Sequence, residues 1–401
     1  MYRTASGGES HCVSSVDSKR IPAETPAWQA RNRSGGQRRR VAAEAVFFPI
    51  AVVYAAVAVP MSVYGMRSGE ALLPGFATVT GHAHELLFGF ALAVAAGFLV
   101  TRASRPQLAA LIGLWLLARL GFLAFPESLF ALGANIALAG YLGRLVIPQF
   151  LKGAKKLRNR TIGPLLGVLC LAVAVFHFAG MTMRTWLQFL ILQETVLLFA
   201  MLMLFMGGRI IAPAAAGAIQ RAGGHLGARV QPRVEGAVLV MMICALVLAV
   251  MPGGRPVAGV FTMGAGLLAF VRLARWRLPA CRGRPDLWCL GVGYGWLGVG
   301  LGLFGLAWTG QWLPAVMGVH AITVGALGTL TTAVMARVRL TRNKLDPARE
   351  RVLPWVALSI AAATVTRLVE GGSDIGLGIS AALWSMAFVL LLSLLVRVPA
   401  R

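Results

Sequence analysis

The feature that most limits what this chain can fold into is a recurrence of apolar runs, each of about 18 residues or more and long enough to cross a ~30 Å hydrocarbon core. "FFPIAVVYAAVAVPMSVYG" and "TWLQFLILQETVLLFAMLMLF" are two of them. Composition agrees. Of 401 residues, 58% are hydrophobic and only 13% charged, roughly half the charged fraction of a soluble protein. The fold class is therefore all-α, a polytopic transmembrane helical bundle.

Twelve spans are expected, at roughly 43–65, 82–101, 107–125, 128–148, 162–180, 185–207, 235–251, 256–274, 286–308, 312–336, 350–369 and 376–396. The formal net charge is +24, which in a soluble chain would point to nucleic acid. Here the Lys and Arg fall in loops between spans, as the positive-inside rule requires, so no nucleic-acid partner is expected. The fourth loop holds Lys155, Lys156 and Arg158, the eighth Arg275, Arg277, Arg282 and Arg284, the tenth Arg342, Lys344, Arg349 and Arg351. Odd-numbered loops are nearly free of them. The alternation places both termini and all even loops in the cytoplasm, N-in and C-in. The sixth loop is long, and its "IIAPAAAGAI" reads as a re-entrant or amphipathic piece. Residues 1–40, rich in Ser, Gly, Arg and Gln and ending in "GGQRRR", read as a disordered basic cytoplasmic tail ahead of a twelve-helix transmembrane domain over 41–401. Five Cys occur singly, with no C-x-x-C, so neither a disulfide framework nor a thiolate cluster is expected.

Ionisable residues inside a membrane are costly and mark functional sites by default. Orientation gives them a depth. His82, His84 and Glu85, in "GHAHELLFGF", stand at the outer mouth of the second span. His177 lies near the outer end of the fifth. His320 lies roughly 12 Å into the tenth. All four intramembrane His thus fall in the outer half, and Glu194 of the sixth span lies near the same level. On a regular helix His82 and Glu85, three apart, share a face, while His84 points elsewhere. Either the two His serve two different centres, or His82 precedes the first helical turn and both rings meet one metal. Imidazole binds haem iron and copper, and Glu85 would take a ligand's second ring N–H. Arg119, in mid-span, would pair either with a haem propionate or with Glu127. "GVGYGWLGVGLGLFG" has no preceding strand and reads as close helix packing rather than a nucleotide fingerprint. The small residues in "VGALGTL", after His320, would let a flat macrocycle or a neighbouring helix approach.

Four blocks resemble the NnrS family. They are "GHAHELLFGFALAVAAGFLVT", "FMGGRIIAP", "VRLARWRLPACRGRPDLWCLGVGYGWLGVGLGL" and "VMGVHAITVGALGTLTTAVMARVRLTRNKLDP", in the family's order and spacing, across most of residues 45–396. The resemblance implies a twelve-span protein of the bacterial inner membrane, with haem and copper, in the response to nitric oxide. By position, His82, His84 and Glu85 match its first motif, Gly207, Gly208 and Arg209 its Gly-Gly-Arg segment, and His320 its most distinctive block. The chain departs from the pattern at Gly291-Val292-Gly293-Tyr294 and at Thr341-Arg342-Asn343-Lys344, where the family often has His. It departs also at Ala45-Val46-Phe47-Phe48-Pro49, where an Arg-Pro-Phe-Phe is usual.

The function expected is haem and copper binding in nitric oxide metabolism or nitrosative-stress defence. Cofactor-binding residues would be His82, His84, Glu85, His177 and His320, with His82, His84 and His320 on metal. No catalytic residue is assigned. The partners are the lipid bilayer and a small diatomic such as nitric oxide, which reaches such a site through lipid. The alternative is a multi-pass transporter of a metal ion or small solute. It predicts broken helices at corresponding positions of two halves.

Overall fold

A computed structural model describes residues 40–70, 72–152, 161–227, 231–310 and 312–400. The tail expected over 1–40 lies, but for its last residue, outside them, as do the basic residues 155–160. Residues Val41–Arg401 form one unit. Among the described residues it holds twelve helices long and apolar enough to cross a membrane: α1 Glu44–Ser68, α2 Val79–Leu99, α3 Arg105–Ala124, α4 Leu129–Leu151, α5 Ile162–Met181, α6 Thr185–Arg221, α7 Pro232–Ala249, α8 Arg255–Ala280, α9 Pro285–Gly310, α10 Ala315–Arg342, α11 Val352–Val369 and α12 Asp374–Arg397. Every expected span is present, with its edges within a few residues except at the ends of α6, α8 and α10.

The sixth loop is the main departure. Its apolar stretch is no separate re-entrant piece. α6 runs unbroken for 37 residues, about 55 Å. Pro213 sits inside it and removes one backbone donor. The helix continues because Ile211, Ala212, Ala215, Ala218 and Ile219 recur at helical spacing and are buried. Gly207 and Gly208 are packing positions: a Cβ on Gly207 would meet the ring of Tyr294, and one on Gly208 the guanidinium of Arg272. Arg272 in turn donates to Leu204 O at 2.7 Å and to the Tyr294 hydroxyl at 2.9 Å, tying α6, α8 and α9 together.

Burial sorts the helices into a centre and a surround. α2, α6 and α10 have 78%, 67% and 67% of their spans buried, against 22% for α7. These three are the second helix of each successive group of four. The same neighbours recur in each group: α1 on α2, α5 on α6, α9 on α10, and α3 on α4, α7 on α8, α11 on α12. Consecutive groups join through α4–α5 and α8–α9, and α12 returns to α1. There Trp384 Nε1 donates to Ala55 O at 3.0 Å and Ser385 Oγ to Ala56 O at 2.7 Å.

Two central helices are irregular. α2 is α-helical over Val79–His84, then π-helical over Glu85–Ala91. α10 is α-helical over Ala315–His320, then π-helical over Ala321–Gly328. In both, the wide turns begin at the residue after a His. Single-turn π segments inside α-helices recur at functional sites.

Candidate functional site

α2 starts where it does because Thr78 caps it, its hydroxyl accepting from Gly81 N at 3.0 Å. Gly81 packs so closely on the 74–76 turn that a Cβ would run into Gly75 O, so no larger residue fits there. This start sets His82 and His84 within the first two turns of α2. His320 has the equivalent place in α10, and His177 lies in the last two turns of α5. All four are at the odd-loop end of the bundle.

They divide into two sites. The first is a cavity of about 550 Å³ with mostly apolar walls, such as Val63, Leu86, Phe90, Val324 and Trp384. Its polar lining includes His82, His320, Gln193, Arg67 and Arg367. His320 Nδ1 lies 2.8 Å from Val316 O. A carbonyl only accepts, so Nδ1 carries the proton and Nε2 is left as the coordinating nitrogen. His82 Nδ1 and Gln193 Oε1 are buried polar atoms with no protein partner. Such orphans are uncommon and call for an explanation. A bound group is one.

The second site is a closed network between α1, α2, α3, α4 and α5. His84 Nδ1 donates to Glu85 Oε1 at 2.9 Å, and its Nε2 faces His177 Nε2 at 3.1 Å. Because the carboxylate only accepts, His84 Nε2 is the bare nitrogen and His177 donates to it. Arg119 donates to Glu85 Oε1 at 2.6 Å and to Asn135 Oδ1 at 2.5 Å. Asn135 spends its amide protons on Ala131 O and Ala118 O. The Tyr54 hydroxyl closes on Glu85 Oε2. His84, Glu85, Arg119, Asn135 and His177 are all buried. Phe122 stacks on the His84 ring at 3.6 Å between centroids, and Phe176 lies 5.0 Å away. The apolar shell keeps water from the network, so each hydrogen bond is strong and each loss expensive.

This geometry corrects several expectations. His82 and Glu85 do not act together: Glu85 turns toward Tyr54 and Arg119 and takes the proton of His84, while His82 faces the cavity. The two His of "GHAHE" therefore open onto separate sites, and His82 stands inside the first turn rather than before it. Arg119 is held by Glu85 and Asn135 and not by Glu127. Glu194 is buried with Oε1 unpartnered and lines neither site. Gly325 and Gly328 serve neighbouring helices, since Cβ atoms there would meet Trp296 and Trp384. Five residues were missed. Asn135, an amide in "GANIALAG", Gln193, an amide in "ILQETVLLF", and Arg367, a lone cation in "ATVTRLV", carried a signal as polar residues inside apolar spans. Tyr54 and Arg67 carried none.

Among the described residues no three His, Cys, Asp or Glu side chains converge on a metal position. The imidazoles come in pairs, which suits a metal that brings other ligands of its own. No curated protein matches the chain. A family model described as NnrS protein matches residues 45–400, nearly the whole length. This multi-pass membrane protein therefore belongs to the NnrS family.

Proposed function

We propose that the chain binds haem in the His82–His320 cavity, and copper at the His84–His177 pair, as part of nitric oxide metabolism or nitrosative-stress defence at the bacterial inner membrane. One observation carries the reading. Two imidazoles from different central helices line one apolar cavity of about 550 Å³, within the usual range for small-molecule and cofactor sites.

The residues fit the group. His320 has its Nδ1–H fixed on Val316 O, the arrangement that orients a ligating imidazole, and the orphaned His82 Nδ1 is free to take part. Imidazole also suits copper. Glu85, on His84 Nδ1, would be the outer carboxylate that fixes that ring's tautomer. Bound haem iron would supply diatomic-ligand or one-electron chemistry. The protein's part is to hold and orient the group, exclude water with apolar walls, and admit a small neutral ligand from lipid. The basic even loops support a cytoplasmic location for both termini.

The test is a reduced-minus-oxidised visible spectrum of the detergent-purified chain, with iron and copper counted on the same sample. The expected result is a haem spectrum near one iron per chain, lost in His82→Ala and in His320→Ala while both variants still insert. A colourless, iron-free protein from haem-sufficient cells would overturn the reading.

A further inference from the structure

The cavity carries positive charge as well as its imidazoles and neutral polar groups. Arg67, in the last turn of α1, and Arg367, in the last turn of α11, share its wall. Arg67 is paired with Asp374 at the start of α12. Arg367 is half-buried and donates to Gly371 O at 3.1 Å. Among the described residues no carboxylate pairs with it. It lines the same cavity as His82, His320 and Arg67. Two guanidinium groups thus line a cavity with mostly apolar walls, and only Arg67 of the two is paired with a carboxylate among the described residues.

An uncompensated cation in such surroundings favours an anion beside it. Planar guanidinium is suited to hold a carboxylate in a forked pair. The cavity therefore has the polarity of an amphiphile's receptor, with an apolar body and a cationic end. We infer that Arg367, backed by Arg67, is the carboxylate-recognising residue of this cavity and sets the orientation of its occupant. The inference rests on the haem reading, and for haem the groups recognised are its propionates. Arg119 does not share the role, because it does not line this cavity and its two terminal nitrogens are held by Glu85 and Asn135.

A purely local role is the alternative. An Arg in a last helical turn stabilises the helix C-terminus, and the bond to Gly371 O fits that. The two roles differ in what they discriminate. Chain purified from haem-deficient cells is titrated with haemin and with haemin dimethyl ester, which has the same ring and iron but no free carboxylates. Binding is read from the Soret band, and ligand-free stability from thermal unfolding. Wild type should prefer haemin by about tenfold, the effect of one charge-assisted pair. Arg367→Gln should lose that preference by weakening haemin alone, with ester binding and unfolding temperature unchanged. Arg367→Lys should recover part of it. If wild type binds both porphyrins equally, or the Gln variant weakens both alike, the carboxylate role is wrong while the haem reading stands. If wild type binds neither, both fall together.

Discussion

Glu85 joins three side chains from three helices. It accepts from His84 beside it, from Arg119 on α3 and from Tyr54 on α1. Both it and Arg119 are buried. Removing one partner of a buried ion pair strands the other charge, which costs about 3–5 kcal/mol. Arg119→Ala should therefore lower stability by about that amount, read by thermal unfolding in detergent. Replacing Glu85 and Arg119 together by Gln and Leu should cost clearly less than the two single changes summed, since each single change strands a charge. Strict additivity, or a single-variant loss under about 0.5 kcal/mol, the size of an ordinary surface substitution, would mean the network is incidental. At this scale the sequence was legible in part. The His were visible because an imidazole in an apolar span is conspicuous, and their common end followed from span direction. The pairing of His84 with His177, 93 positions on, was not, because partners that distant are set by helix packing.

The face reading of "GHAHE" failed although His82 to Glu85 is regular α-helix, with Glu85 N donating to Gly81 O. Residues three apart still differ by about 60° around the axis, and Tyr54 and Arg119 draw the carboxylate to their side. The wide turns begin at Glu85, so the residues that follow are rotated relative to a regular helix. The same holds after His320. Deleting Ala326 should return α10 to regular winding and turn His320 by about 100° against the rest of the helix. The expected outcome is a chain that inserts and elutes like wild type but has lost its haem absorbance. Retention of the spectrum at full strength would show that the segment does not aim the ring. Element ends were otherwise well read, because hydropathy falls sharply at basic loops. The extension of α6 was missed because Gly207, Gly208 and Pro213 are local breakers, whereas the burial of Ile211, Ala215 and Ile219 against neighbouring helices is not a local property.

Charge is the organising quantity for the whole molecule. The acids at the even-loop end are drawn into Arg pairs: Asp286 with Arg284 and Arg337, and Glu44 with Arg339 and Arg342. The surplus of Arg and Lys at that end predicts that it is cytoplasmic. Alkaline phosphatase fused after Met183 or Gly253 should be active, and fused after Gly224 or Lys344 inactive; the reverse pattern would invert the molecule. A transporter built from two related halves would break its helices at matching positions. The irregular helices here, α2 and α10, are the second of the first six and the fourth of the last six, which do not match. They do match when the chain is counted in fours. The return of α12 to α1 then carries a consequence of parity. Each group of four crosses the membrane an even number of times. The three places where the chain passes from one group to the next, α4 to α5, α8 to α9 and α12 back to α1, therefore all lie at the same end of the bundle. Over the described helices the path is a circle of three arcs, and α1 and α12 meet at one of its three joints.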